Sequence, residues 1–172
     1  VNILRSPNLT QGPIIQEFET AISQKVNSRF SVACNSATSA LHIACLSLGL
    51  NSGDIVWTSP ITFVASANCG LYCGAKVDFV DIEPSTGLMS IQSLTTKLKA
   101  AEKSGTLPKI LIPVHLSGSS CDMKPIRELS IKYGFSIIED ASHAIGGKYN
   151  DNEVGSCKYS DVTVFSFHPV KI

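Results

Sequence analysis

Lysine is the side chain that forms an imine with a carbonyl group. One lysine, Lys171, closes the stretch VTVFSFHPVK (162–171), just past an apolar run. Alone it is either a nucleophile or a solvated surface charge, so its meaning depends on what else gathers there. Ser166, in the same stretch, offers an anion or hydroxyl ligand. A pair of acids, Glu139 and Asp140, closes the apolar run FSII. Carboxylates resist burial without a cationic partner, so Asp140 is either a helix cap or the counter-charge of something bound. His143 follows and is either a ligand or a satisfied structural histidine; His115 and His42 are read in the same way. Asn35-Ser36-Ala37-Thr38 brings small residues and hydroxyls to the start of a helix. That is either an anion site, with free amides and the dipole facing the ligand, or an ordinary cap. Phe63, after Pro60-Ile61-Thr62, could stack on a planar ring or belong to the core.

The elements that must position these residues alternate almost throughout. In 12–29, Ile15, Phe18, Ile22 and Val26 recur at helical spacing, with Pro13 at the first helical position. FSVAC (30–34) reads as a strand, and 36–50 as a helix with Ala37, Leu41, Ala44 and Leu48 on one stripe. DIVWTS (54–59) is a strand, and TFVASANCGLYCG (62–74) a helix ending near Gly74. KVDFVDI (76–82) is a strand followed by a turn at 84–87, and 90–105 an exposed amphipathic helix. KILIPVHLSG (109–118) is a buried strand with its exit loop. In 122–134 Asp122 is the N-cap and Gly134 the C′ residue of a helix. FSIIEDASHA (135–144) and SDVTVFSF (160–167) supply the last strands. Apolar strands alternating with amphipathic helices predict an α/β fold: a three-layer α/β/α sandwich on a mostly parallel central sheet. No repeat or linker divides residues 1–172, which read as one domain. In such sheets ligands gather beyond the carboxyl ends of the strands, just after VAC, WTS, PVH, IIED and VFSF, where the residues of the first paragraph other than His42 fall.

Composition narrows the class. Fourteen basic residues balance fourteen acidic ones, which excludes a nucleic-acid or anionic-membrane surface as the main partner. No apolar run reaches the roughly 18 residues of a membrane span. The start lacks the charged-then-apolar layout of a signal peptide, and without a Met at its head the true N-terminus is expected to lie upstream. Six cysteines without a CxxC pair read as small buried hydrophobes in a reducing cytoplasm, rather than disulfides or a metal site. There is no GxGxxG, no phosphate loop and no GxSxG elbow, so dinucleotide, P-loop and serine-hydrolase readings have no support.

NSATSALHIA, SPITFVASAN, PVHLSG, IIEDASHAIGG and FSFHPVK, in that order, resemble the sugar aminotransferases of the DegT/DnrJ/EryC1/StrS family, over a span from about Leu4 to the end. The resemblance implies the large domain of a fold-type I enzyme and pyridoxal 5′-phosphate (PLP) as cofactor. Lys171 would be the Schiff-base lysine and would move the proton between the donor Cα and the cofactor. Asp140 would face the pyridine nitrogen, and Phe63 would stack on the ring. Ala37, Thr38 and Ser166 would hold the phosphate, and His143 would lie beside the cofactor. The implied reaction is amination of a nucleotide-linked 4-keto-6-deoxy sugar by glutamate. RSPNLTQGP, ACNSATSALH and SDVTVFSFHPVK resemble most the members that act in pseudaminic acid synthesis, which implies a UDP-linked sugar. Relatives that dehydrate carry His at the lysine position, so Lys171 favours transamination.

Family chains are about twice this length. A small C-terminal domain and a partner-subunit loop are therefore expected beyond residue 172, with a homodimer at full length. The chain by itself is expected to fold but not to catalyse. Two other readings stand beside this one. The first is a sister enzyme aminating another dTDP-, GDP- or UDP-linked keto sugar. The second is a non-catalytic binding domain that kept the PLP fold.

Overall fold

The computed structural model describes residues 3–7, 10 and 12–171; residues 1, 2, 8, 9, 11 and 172 lie outside the described residues. The helices are α1 (Pro13–Val26), α2 (Ala37–Ser47), α3 (Ala65–Tyr72), α4 (Ile91–Ser104) and α5 (Met123–Tyr133). The strands are β1 (Ile55–Thr58), β2 (Lys76–Phe79), β3 (Ile110–Ile112), β4 (Ser136–Asp140), β5 (Lys148–Tyr149), β6 (Asn152–Glu153) and β7 (Val162–Val164). β2-β1-β3-β4-β7 form one sheet in that order, every pair parallel, with Thr58 beside Ile112 and Asp140 beside Val164. The expected parallel sheet is present.

Strand alternation divides the core into two layers. Trp57, Leu111 and Ile137 point to one face and pack with Leu94 and Leu98 of α4 and Ile126 of α5. Val56, Ile110, Ile112, Ile138 and Val164 point to the other, against Leu41 and Cys45 of α2 and Cys69 of α3. Helices thus cover both faces, and the exposed side of α4 is polar as its periodicity predicts. α4 is capped by Ser90, whose hydroxyl accepts from Ser93 N, and closed by Gly105 at φ 69°.

Several expectations fail for physical reasons. FSVAC is not a strand: Phe30 and Val32 are exposed, and Ala33 N donates to the Glu19 carboxylate at 2.7 Å instead of to a neighbouring strand. Without a ladder partner an extended segment is only a loop. α1 forms with Pro13 in its first turn, but among its predicted face only Val26 is buried; Ile15 and Phe18 remain exposed. Asp122 occupies the N-cap of α5 yet makes no capping bond, because its carboxylate accepts the Tyr149 hydroxyl. Tyr149 Oη in turn accepts from Lys124 N at 3.3 Å, supplying the cap from outside the helix. α3 starts at Ala65 rather than Thr62, which leaves Phe63 on the approach to the helix. The β5–β6 hairpin is unforeseen; its turn, Asn150-Asp151, takes positive φ at both positions, the mirror-image turn that suits two-residue hairpins. Cys45, Cys69 and Cys121 are buried as expected, but Cys34 is exposed; all six thiols are free. Among the described residues no helix is long and apolar enough to cross a membrane.

Candidate active site

Asp140 is the last residue of β4 and shares the face of Ile138, so its carboxylate points toward α2 and α3. Its backbone is fixed on the β3 side: Asp140 N donates to Pro113 O, and its carbonyl accepts from His115 N, both at 3.0 Å. The residue is 4% exposed. Oδ1 accepts from Ser142 N at 3.2 Å and Ser142 Oγ at 2.7 Å, and Oδ2 accepts from Ser66 Oγ at 2.5 Å. Among the described residues no cation pairs with it. A buried carboxylate held by neutral donors alone is poised for an external positive charge.

Ser66 belongs to α3, and its reach to Asp140 depends on how closely that helix approaches the sheet. One turn on, Gly70 permits that approach, since a Cβ there would stand 3.1 Å from Val56 Cγ2 and 3.2 Å from Val77 Cγ2. Just ahead of α3, Phe63 is 63% exposed. Lys171 Nζ lies 5.4 Å from the centroid of its ring. The Lys171 backbone is held in a turn, its N donating to His168 O at 2.8 Å. Phe167 packs edge-on against Phe18 of α1, centroids 5.1 Å apart, which anchors the segment between Ser166 and Lys171.

α2 packs against β4 and β7. Ser36 caps it, accepting from Ser39 N at 3.2 Å. The amides of Ala37 and Thr38 have no acceptor among the described residues, the usual state of a helix start. Ser166 is buried just past β7, and its Oγ accepts from His168 N at 3.4 Å. His143 is half-buried in the loop after β4, and its ring makes no hydrogen bond with a described residue. Ser59, one step past β1, buries an unpartnered hydroxyl near the same sheet edge.

Glu139 faces the opposite side of the sheet. His115 Nε2 lies 2.6 Å from Glu139 Oε2, while His115 Nδ1 accepts from Cys121 N at 3.1 Å, which leaves the ring proton on Nε2. Ser160 Oγ and Thr163 Oγ1 also donate to Glu139. Burial pushes the Glu139 carboxyl up, but these donors outweigh it and hold it below the ordinary range. This cluster braces the sheet from behind and takes no part in the open site. His115 is therefore the satisfied structural histidine of the two readings, and His42 rests against Tyr72 in an edge-on ring contact.

The Lys171 amine thus stands against the exposed Phe63 ring, and Asp140 lies buried with no cation paired to it among the described residues. Ser66, Thr62 and Ser142 were not singled out from the sequence. Ser66 carried one weak signal, a hydroxyl on the buried stripe Ala65, Ser66, Cys69 and Gly70. A buried anion, an exposed phenyl face, an amine beside it and open helix amides fit a flat, cationic, phosphorylated ring, as PLP is.

A mostly parallel sheet with helices on both faces is the architecture of PLP-dependent transferases. The chain belongs to the DegT/DnrJ/EryC1/StrS aminotransferase family, whose model matches residues 1–172. It is 40% identical over 168 residues to the UDP-4-amino-4,6-dideoxy-N-acetyl-beta-L-altrosamine transaminase of Campylobacter jejuni, covering 98% of this chain and 43% of that protein. It is 38% identical to the GDP-perosamine synthase of Caulobacter vibrioides, covering 94% and 41%. The crystal structure of a family aminotransferase from Brucella abortus superposes with a TM-score of 0.93 at 31% identity, covering 99% of this chain and 45% of that one. A Streptococcus pneumoniae protein described as a sugar aminotransferase, solved in its PLP-form, superposes at 0.84 with 30% identity, covering 99% and 45%. PLP is the cofactor of this family. The chain spans about 43% of the length of the curated relatives it matches.

Proposed function

We propose that the protein to which this chain belongs transfers the amino group of glutamate to the keto carbon of a nucleotide-linked 4-keto-6-deoxy sugar. The observation that carries this reading is Asp140, a buried carboxylate with no cation paired to it among the described residues, tied through Ser66 to the backbone of Phe63, whose ring faces the Lys171 amine. When bound, PLP supplies the electron sink that lets an amino acid lose its Cα proton. In this reading the negative charge of Asp140 holds the proton on the pyridine nitrogen. Phe63 covers one face of the ring. The Ala37 and Thr38 amides and the Ser166 hydroxyl hold the phosphate. Lys171 is the covalent anchor, and its amine carries a proton from the donor Cα. His143 borders the cofactor, where it limits access by water. Residues 1–172 are the PLP-binding large domain in this reading.

The sugar is proposed to be UDP-linked and on the way to pseudaminic acid, on the strength of the 40% identity to the Campylobacter jejuni transaminase. A GDP-linked substrate is the second reading, favoured by the 38% identity to the perosamine synthase. A homodimer in the cytoplasm is proposed for the full-length protein. Ile43, Leu46, Leu71 and Tyr72 leave an apolar outer surface on α2 and α3 that a second copy would cover, and six free thiols suit a reducing compartment. The test is to assay the full-length protein, loaded with PLP, against UDP-, GDP- and dTDP-linked 4-keto sugars with glutamate. Turnover confined to the UDP substrate supports the first reading, and turnover confined to the GDP substrate the second. A protein that binds no PLP would sink both.

A further inference from the structure

We propose that Ser66 is a positioning residue for Asp140, and that Thr62 backs it through a directed hydroxyl relay; this rests on the reading that Asp140 protonates the cofactor's ring nitrogen. Ser66 is fully buried, and its Oγ lies 2.5 Å from Asp140 Oδ2, a distance typical of a hydroxyl donating to a carboxylate. Of its other possible acceptors, Phe63 O is further away at 3.3 Å and Thr62 Oγ1, at 2.7 Å, is a neutral hydroxyl that competes poorly with a carboxylate. The Ser66 proton therefore goes to Asp140. Thr62 Oγ1 lies 2.7 Å from Ser66 Oγ, and with that proton committed, Thr62 must be the donor between them. The chain of donors runs Thr62 to Ser66 to Asp140.

The relay fixes the carboxylate in place. A hydrogen bond to a carboxylate is shorter and stronger than one between neutral groups, so it orients its acceptor firmly. Ser66 and Ser142 are the side chains that offset the burial of Asp140, and they grip different oxygens. With Oδ1 held by Ser142 and Oδ2 by Ser66, the carboxylate plane cannot rotate, and one lone-pair direction on Oδ2 stays open. A rotated Asp140 could not keep a ring nitrogen protonated. Ser66 thus sets the aim of the group that does.

The experiment uses the full-length enzyme loaded with PLP isotope-labelled at the ring nitrogen. The nitrogen chemical shift and the PLP dissociation constant are measured at neutral pH. Asp140→Asn should move the shift to that of an unprotonated ring. Ser66→Ala should move it part of the way in the same direction and weaken PLP binding about tenfold or more, as loss of a hydrogen bond to a charged group does. Thr62→Val should produce a smaller change of the same sign, and Ser66→Thr, which keeps the hydroxyl, should restore the wild-type values. A wild-type shift and affinity in Ser66→Ala, with Asp140→Asn displaced, overturns the inference and spares the reading of Asp140. A wild-type shift in Asp140→Asn overturns that reading, and this inference with it. Ser66→Thr behaving like Ser66→Ala would tie the effect to packing and also overturn it. Should Ser66→Ala fail to fold by circular dichroism, Ser66→Cys, close in volume and a weak donor, is read by the same criteria.

Discussion

Lys171 and Phe63 meet across the carboxyl edge of the sheet, the ammonium nitrogen 5.4 Å from the ring centroid, although one residue follows β7 and the other follows β1. In parallel strands β1 and β7 both end at this edge, with β3 and β4 between them. The contact is therefore a product of sheet order. An amine against an aromatic face in the absence of cofactor is a cation–π contact of modest strength. A planar ring bound on Phe63 would bring its reactive carbon within reach of the same amine.

The first prediction concerns that pair. In the full-length enzyme, borohydride with PLP should attach the cofactor to Lys171, as read by peptide mapping, and Lys171→Ala should lower turnover on the order of 10³-fold or more. Phe63→Ala removes the stacking face and should raise the PLP dissociation constant roughly five- to tenfold. Label on another lysine would dismiss the assignment.

Asp140→Asn keeps the shape and removes the charge. Turnover of the full-length enzyme should fall on the order of 10²-fold or more, because a preorganised electrostatic partner is lost. Near-full activity in that variant would exclude the role.

Glu139 should behave differently from its neighbour, because it faces the other layer. Glu139→Ala leaves His115, Ser160 and Thr163 without their acceptor and should destabilise the full-length protein by about 1–3 kcal/mol in a denaturant titration, with PLP binding retained in the folded fraction. Equal loss of PLP affinity and stability would contradict the separation of the two faces.

The same carboxyl predicts an acid limb. Its folded pKa lies below its ordinary value of 4.5, so the folded state binds the proton less readily than the unfolded chain. The stabilisation is complete above the unfolded pKa and is lost as pH falls through the folded one. Glu139→Gln should flatten that limb of the stability profile between pH 5 and the acid midpoint, measured by thermal melts. An unchanged limb would locate the acid sensitivity elsewhere.

Gly155 has φ 98°, and a Cβ there would come within 2.6 Å of the Phe165 ring. Gly155→Ala should cost about 2–4 kcal/mol through backbone strain and overpacking, seen as a lowered melting temperature. Since Phe165 precedes Ser166, weaker PLP binding should accompany it. An unaltered melting temperature would show that the ring can swing aside.

The parallel sheet and most of the order of elements were legible because they rest on local patterns, which also set Lys171, Asp140, Phe63, Ala37 and Thr38 at strand ends or a helix start, while the roles proposed for them came from the resemblance. Apolar runs such as KILI and SII must be buried strands, helical spacing in 90–105 exposes one face, and chemistry collects at strand ends. FSVAC carries the same local pattern and is nevertheless a loop, because a strand exists only where another offers its hydrogen bonds. The division between Glu139 and Asp140 was equally hidden: adjacent acids look alike in a sequence, and only the pleat sends one to His115 and the other to Ser66. Ser66 shows the same limit from the other side. Its hydroxyl sits in an ordinary helix, and its partner is 74 positions away along the chain. Periodicity encodes what each segment does with its own neighbours. Which side chains meet across the sheet is decided by strand order and by how closely Gly70 lets α3 approach, and those are set by packing of the whole molecule.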